Sequence, residues 1–583
     1  MLSPEASAEP GRWYTARAEY QRGMMDAFSD PRIEMVVVMG SAQFGKTEIL
    51  NNVIGFFVDH DPSPILVVEP TIEVGKAWSK DRLSTMIRDT PALREKVADV
   101  KSRDSDNTVL HKSFYGGHIT VAGANSAASL RARPIRIILC DDIDAFPASA
   151  GTEGDPVDLA AKRTTAFWNR KIGLFSTPTD EGLSRIEKAY NGSDKRKYWV
   201  PCIHCGEMQI LAFENLKWPK GEPEKAVYTC PHCEGTMTDA DKPRMLQRGE
   251  WRAEAPEVKK IAGFWINELY SPWVSFSEVA EKFYSSRKDP MQLKVFKNTS
   301  LGEVWKQVVM AKTHERLSGA IVEDLPPMTV PAEAFVLTCG IDPGMSGYWF
   351  VVRAWSNTMT SWLIHYGFLP TEAELDRLIF ETQYPRAGGG QSLGIWRVAR
   401  DTGGGKKSDD DLVLSMTEES YWWIVRNYGR GPGLYGTKGA STSMPTRFRM
   451  GEPLMQTPSG KALPNWFRIT TINTDAMKDY FHYGLDQAVE KGINALYLHS
   501  ETERSYFDQV TAEEKRIDSK KGVAEWVKIR RDNHYLDAEI LAISCAQPQW
   551  VGGGVNLLAP RRPKQEQKKK PAMRRDEKRV TRW

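Results

Sequence analysis

Gly40-Ser-Ala-Gln-Phe-Gly45-Lys46-Thr47 fills every fixed position of G-x-x-x-x-G-K-[ST], and its neighbours supply the frame that such a match requires. The apolar run Met35 to Met39 before it reads as a buried parallel strand, and Glu48 to Phe57 after it reads as a helix; strand, loop and helix in that order make a phosphate-binding loop. Gly40 and Gly45 let backbone N–H groups turn toward phosphates. Lys46 is placed to reach the β- and γ-phosphates, and Thr47 to hold Mg²⁺ at the positive end of the helix. The competing reading, a glycine-containing turn with a chance lysine, does not account for that frame.

Upstream, Trp13 to Phe28 reads as an amphipathic helix carrying Gln21, ahead of the turn signal Ser29-Asp30-Pro31. A side-chain amide both donates and accepts, which suits the edge of an adenine, although a solvated glutamine fits the sequence equally well. Downstream, Ile65 to Glu69 is a strand ending at Pro70-Thr71, Ala77 to Arg88 a helix, and His118 to Ala122 and Ile135 to Cys140 two further strands. Strands alternating with helices predict an α/β, P-loop NTPase domain with a parallel sheet. The last strand runs into Asp141-Asp142-Ile143-Asp144, at the sheet edge where ligands of open α/β folds collect. Asp141 is expected to assist Mg²⁺ through water, and Asp142 to orient the attacking water, a role filled more often by the longer glutamate. Arg131, with Arg133 nearby, is the candidate arginine finger. Ser176-Thr-Pro-Thr179 closes another strand as a γ-phosphate sensor.

The whole chain has 583 residues, is 41% hydrophobic and has a formal net charge of +3, which predicts several globular domains. No run is long and apolar enough to span a bilayer, and no signal-peptide pattern opens the chain, so the expected location is the cytoplasm. From Val551 to Trp583 there are 11 Lys/Arg and 3 Asp/Glu, so the basic character is local to this tail; its composition predicts disorder. Cys140, Cys339 and Cys545 read as buried small hydrophobes. Cys202, Cys205, Cys230 and Cys233 instead form two C-x₂-C units, the spacing of a structural, tetrahedral Zn²⁺ site on a ribbon of hairpins, with His204 and His232 outside it. After an aromatic stretch and the proline-stiffened Leu325 to Pro331, a second α/β domain opens: Phe335 to Asp342 leads into two more strands. Gly394 to Arg400 then ends at Asp401, and Asp537 sits one turn from His534 on a late helix. Acids at two strand ends and one helix are the pattern of a ribonuclease-H-like nuclease, in which Asp342, Asp401 and Asp537 hold a pair of Mg²⁺ or Mn²⁺ ions. Tyr435-Gly-Thr-Lys438-Gly439 follows another strand and reads equally as a contact to DNA phosphate or as a simple turn. The expected partition is residues 1–195 as the ATPase domain, 196–250 as the zinc ribbon, 251–331 as a helical linking subdomain, 332–550 as the nuclease domain and 551–583 as a basic flexible tail.

Taken together, Gly40 to Thr47, Asn125-Ser126 with Leu130-Arg131, Asp141-Asp142, Ser176 to Thr179, Tyr198 to Gly206, Gly263 to Trp273, and Asn533-His534 with Asp537 resemble the large terminase subunits of tailed bacteriophages, of the lambda type, over nearly the whole chain. The resemblance implies an ATP-driven motor that threads double-stranded viral DNA into a procapsid, joined to an endonuclease that cuts concatemers. It also implies a small terminase subunit and the portal protein as partners, a homo-oligomeric ring during packaging, no membrane, and the host cytoplasm as the place of work. Pro343-Gly344 departs from the valine and glutamine that many relatives carry after the first nuclease aspartate. Two other readings compete: a helicase-like DNA translocase with an inactive nuclease domain, and a zinc-ribbon DNA-binding scaffold that uses nucleotide only as a structural ligand.

Overall fold

The computed structural model describes residues 1–558 apart from 6, 8, 98–106, 288, 307–313, 404–414, 443 and 519–522; the Lys/Arg-rich part of the tail lies outside the described residues. The chain divides into two compact units, Met1–Ala311 with Glu514–Val527, and Lys312–Glu513 with Lys528–Trp583.

The first unit is built on strands β1 (Met35–Gly40), β2 (Pro64–Glu69), β3 (His111–Phe114), β4 (Gly117–Gly123), β5 (Ile137–Asp141), β6 (Lys171–Ser176) and β7 (Arg196–Pro201), followed by the short β8 (Met208–Ile210), β9 (Leu216–Lys217), β10 (Val227–Thr229) and β11 (Thr236–Met237), then β12 (Glu250–Ala253) and β13 (Ile261–Ile266). The main sheet has the order β12-β7-β13-β1-β6-β5-β2-β4-β3, with β8 paired to β7. β1 is parallel to both β13 and β6, and β5 is parallel to β6 and β2. Strands buried on both faces read as unbroken apolar runs, which is why Met35 to Met39 and Ile137 to Cys140 were legible in sequence. One face of β1, β2 and β5 (Val36, Val38, Ile65, Val67, Ile137, Leu139) packs with Ile49, Leu50 and Val53 of the helix Lys46–Asp59 that follows the phosphate loop; Val37, Leu66, Ile138 and Cys140 fill the other face.

The helices are α1 (Tyr20–Ser29), α2 (Lys46–Asp59) and α3 (Ile72–Trp78), with others further on. α1 begins seven residues later than the amphipathic pattern suggested, because Thr15–Ala18 is a 3-10 turn. α3 begins earlier than expected: the Thr71 side chain accepts from the Val74 N–H and caps it. Residues 196–250 and 251–331, expected as a ribbon and a linking subdomain, contribute β7, β12 and β13 to the phosphate-loop sheet. Tyr270 reinforces that connection by donating its hydroxyl to the Tyr198 carbonyl at 2.6 Å. The cysteine-bearing segment adds its own sheet of order β11-β10-β9.

The second unit contains β14 (Ile321–Val322), β15 (Val336–Gly344), β16 (Gly347–Trp355), β17 (Ser361–Leu369), β18 (Ile395–Asp401), β19 (Gly433–Gly439), β20 (Phe448–Gln456), β21 (Ala462–Ile472) and β22 (Leu496–His499), in the order β14-β22-β17-β16-β15-β18-β19-β21-β20. β15, β16 and β17 form an antiparallel meander; β18 then returns parallel to β15 on its other side, and β19 runs parallel to β18. This 3-2-1-4-5 core is the expected ribonuclease-H-like sheet. β15 continues through Pro343 and Gly344, which pairs with Gly347, so Asp342 lies inside the strand rather than beyond its end. Tyr435 to Gly439 belongs to β19 itself, not to a turn after it, and Thr437 is the register partner of Asp401.

Candidate active sites

The phosphate loop leaves β1 at Gly40 and enters α2 through Gly45, whose φ of +90° is left-handed. A side chain there would be strained, and its Cβ would meet the Gln21 amide nitrogen at 2.3 Å. Gln21 is fully buried; its Nε2 donates to the Phe44 carbonyl at 2.9 Å, and the Tyr20 hydroxyl donates to the same oxygen. The glutamine thus braces the loop from beneath, with Oε1 unpaired among the described residues. Lys46 Nζ lies 2.9 Å from Asp141 Oδ1 and also pairs with Asp142. Burial opposes the Lys46 charge, but the two aspartates outweigh it and raise its pKa. Burial likewise raises Asp141, against the pull of Lys46. Asp142 sits in the left-handed region at φ 52°, with its side chain 52% exposed. Beside Asp141, on the neighbouring strand β2, is Glu69, which the sequence reading passed over. It is 3% exposed, and burial followed by the charges of Asp141 and Asp142 pushes its pKa up to about 8. The only sequence signal was an acid closing the apolar run Ile65 to Val68.

Asp144, the third acid, ties the end of β5 to the next strand edge. It accepts from the Thr179 hydroxyl at 2.9 Å and the Ile186 N–H at 2.9 Å, while its own N–H donates to Ser176. Ser176 to Thr179 are therefore linked directly to the acidic edge. Arg131 is half exposed and pairs with Glu153.

Cys202, Cys205, Cys230 and Cys233 are brought together. Their sulfurs all lie within 4.8 Å of one another, the only such set of three or more metal-ligating groups among the described residues. Cys202 to Cys233 is 3.8 Å and Cys205 to Cys230 is 3.9 Å. A tetrahedron of thiolates about 2.3 Å from zinc has edges of about 3.8 Å. The N–H of His204 points at Cys202 Sγ and that of His232 at Cys230 Sγ, each at 3.4 Å, and such donors favour thiolates. The His204 ring turns away to the Thr236 carbonyl. The donor set fits Zn²⁺, which would supply folding energy rather than chemistry.

In the second unit, β15 and β18 run parallel with Ile341 opposite Arg400, so Asp342 and Asp401 follow side by side. Asp537 arrives on the first turn of the helix His534–Ser544. That helix approaches because Gly340 has no side chain: a Cβ there would lie 1.9 Å from the Ala538 carbonyl oxygen. Burial, then the charge of Asp342, pushes Asp537 up to about 7; burial, with Asp342 adding to it, pushes Asp401 up to about 6. Carboxylates gathered closely enough to feel one another's charge suit divalent cations, which stabilise both the attacking and the leaving oxygen of a phosphodiester displacement. Around them, His534 Nδ1 lies 2.6 Å from Asp342 Oδ2, its ring stacked on Trp349, and the hydrogen bond to Asp342 raises its pKa. Asn533 donates to Asp537 at 2.9 Å and to Glu513 at 2.8 Å, and Glu513 pairs with Lys478 at 2.6 Å. Lys478 and Glu513 escaped the sequence reading, since neither lies near one of the three aspartates in the chain.

The family description "Phage terminase large subunit gpA, ATPase domain" matches residues 7–251, and "Terminase large subunit gpA, endonuclease domain" matches residues 261–551. The chain belongs to this terminase large subunit family. It carries an ATPase domain and an endonuclease domain, and such domains work with a nucleotide and a divalent metal. The terminase large subunit of Escherichia phage lambda is 28% identical over 594 residues, covering 93% of this chain and 87% of that protein. That of Enterobacteria phage P21 is 30% identical over 390 residues, covering 62% of this chain and 60% of the relative, so the chain matches less than two thirds of the P21 protein's length. Among solved structures, the large terminase of bacteriophage HK97 covers 92% of this chain and 95% of its own, at 10% identity and a TM-score of 0.30. No helix among the described residues is long and apolar enough to cross a membrane.

Proposed function

We propose that this chain hydrolyses ATP to drive double-stranded viral DNA into a procapsid, and cuts concatemeric DNA with its second unit. The observation that carries the reading is the pairing, in one chain, of the Lys46–Asp141–Asp142 constellation on a P-loop sheet with Asp342 and Asp401 on a ribonuclease-H-like sheet and Asp537 on the helix packed against it. In the first site Lys46 takes the β- and γ-phosphates, Thr47 and Asp141 hold Mg²⁺, Gln21 sets the loop that receives the nucleotide, and Arg131 is the candidate finger. Asp142 stands where an acid orients the attacking water, one methylene short of the usual glutamate. Mg²⁺ held by these residues would supply neutralisation of the phosphate charge. In the second site Asp342, Asp401 and Asp537 hold Mg²⁺ or Mn²⁺, and Lys438, whose charge reaches Asp401, stands to meet a DNA phosphate. Cys202, Cys205, Cys230 and Cys233 hold a structural Zn²⁺. The working partners are viral DNA, the portal protein, a small terminase subunit and further copies of this chain in a ring, in the host cytoplasm while docked on the procapsid.

The test is ATP turnover with and without portal-bearing procapsids and linear DNA. Stimulation by the two together, with DNA becoming resistant to added nuclease, is expected. Strand unwinding without DNA protection would replace packaging by a helicase-like translocase.

A further inference from the structure

We propose that Glu69, at the end of β2, is the carboxylate that holds the attacking water during ATP hydrolysis, supplying the reach that Asp142 lacks. The inference rests on the ATPase reading of the first unit.

Position comes first. β2 and β5 are parallel and in register, Val68 opposite Cys140, so Glu69 and Asp141 are the next residues at the same sheet edge. Strand alternation puts Glu69 on the face of Ile65 and Val67, and Asp141 on the face of Ile137 and Leu139. All four of these apolar residues belong to the cluster that includes α2. Glu69 therefore shares a face with Asp141 and with the helix whose first residue is Lys46. The Glu69 carbonyl accepts from the Ala124 N–H at 2.8 Å, which fixes its backbone. On the side away from Asp141, α3 leaves room at Gly75, where a Cβ would lie 3.6 Å from Glu69 Cγ and 2.8 Å from Val121.

The second observation is that Glu69 Oε1 is buried and has no hydrogen-bond partner among the described residues. A carboxylate so placed costs stability that a structural acid recovers through a cation or donors. The acids along this edge that serve structure are equipped in that way: Asp144 accepts two hydrogen bonds. Glu69, Asp141 and Asp142 face one ammonium, Lys46, among the described residues, a gathering of acids that a divalent cation would suit. Asp142 is the less suitable water ligand, because its side chain is short, half exposed and engaged by Lys46.

In the step itself, the water oxygen bonds to the γ-phosphorus as the bond to the β,γ-bridging oxygen breaks. ADP leaves with that electron pair, and the water proton passes to the Glu69 carboxylate and from there to solvent.

Glu69→Gln keeps the shape and removes the charge. Positioned acid–base groups contribute about 10²–10⁴-fold, so kcat is expected to fall by about 100-fold or more while a fluorescent ATP analogue with Mg²⁺ binds within about twofold of wild type. In an Asp142→Glu background, where the longer acid is restored, the loss caused by Glu69→Gln is expected to shrink to less than about tenfold. Turnover by Glu69→Gln within about threefold of wild type overturns the assignment. So does a loss of nucleotide affinity in parallel with turnover, which would mark a structural or metal-holding acid. If the glutamine variant does not fold, Glu69→Asp decides: it keeps the charge and loses the reach, and wild-type turnover would sink the proposal. A wild-type chain with no ATPase at all would remove the ATPase reading, and this inference with it.

Discussion

Gly340 lies directly under the carbonyl of Ala538, so that a Cβ on it would stand 1.9 Å from that oxygen and 2.6 Å from the Ala542 nitrogen. This contact between β15 and the helix His534–Ser544 sets where Asp537 meets Asp342. Gly340→Ala is expected to push the helix back, at a cost of about 3 kcal/mol, the upper end for overpacking, since backbone atoms are in the way. Denaturant unfolding should show that loss, and Mn²⁺-dependent plasmid cleavage should fall at least about tenfold, as catalysis is sensitive to small misplacements. A variant with full stability and full cleavage would show that the helix position is not held here.

The two sites lie in separate units, and their chemistry should separate. Lys46→Ala is expected to abolish ATP turnover and leave DNA cutting measurable. Asp342→Asn, Asp401→Asn and Asp537→Asn should each collapse cutting while ATP turnover survives, and a double variant should be little worse than a single, because groups that act as a unit are non-additive. Cleavage at the wild-type rate by Asp401→Asn would remove that residue from the site.

One Zn²⁺ per chain is expected from elemental analysis of protein purified without chelators. Cys230→Ser should lose it, together with the cooperative folding of the ribbon around residues 199–236, because such small sites fold on their metal. Metal-free protein with intact ribbon structure would refute the assignment.

His499 is 3% exposed, its ring stacked on Tyr366. Burial, then the charge of His365, lowers its pKa to about 4. The unfolded chain takes up that proton at about 6.5, so the stability due to the neutral buried ring is complete above about 6.5 and is lost as pH falls toward 4, by up to about 3 kcal/mol. His499→Gln should flatten this acid limb in unfolding measured from pH 7 to 4. An unchanged limb would place the titration elsewhere.

Much of this chemistry is local in the chain, and that part was readable. The phosphate loop needs Gly45, Lys46 and Thr47 in sequence because one turn cradles one phosphate group. The cysteine pairs need two intervening residues so that both sulfurs and the backbone N–H groups face one ion. Asp141 and Asp401 announced themselves by closing apolar runs at the ends of β5 and β18, and Asp342 by closing the apolar run of β15, although that strand continues through Gly344. The sequence by itself therefore determined two α/β units, one with a phosphate loop, together with the use of a nucleotide and a divalent metal. Only the tertiary structure decided which strands are neighbours. Ile261 to Ile266 read as part of a linking segment, yet it pairs in parallel with β1 because its alternate residues Ala262, Phe264 and Ile266 bury against the same core as Val36 and Val38. Glu69 closes an apolar run as well, but its meaning depends on β2 lying beside β5 in a register that puts both acids on the face of α2. Lys478 and Glu513 reach Asp537 only through the packing of remote helices and strands. Strand register and helix packing are settled by burial between segments far apart in the chain, and no short window of residues carries that information.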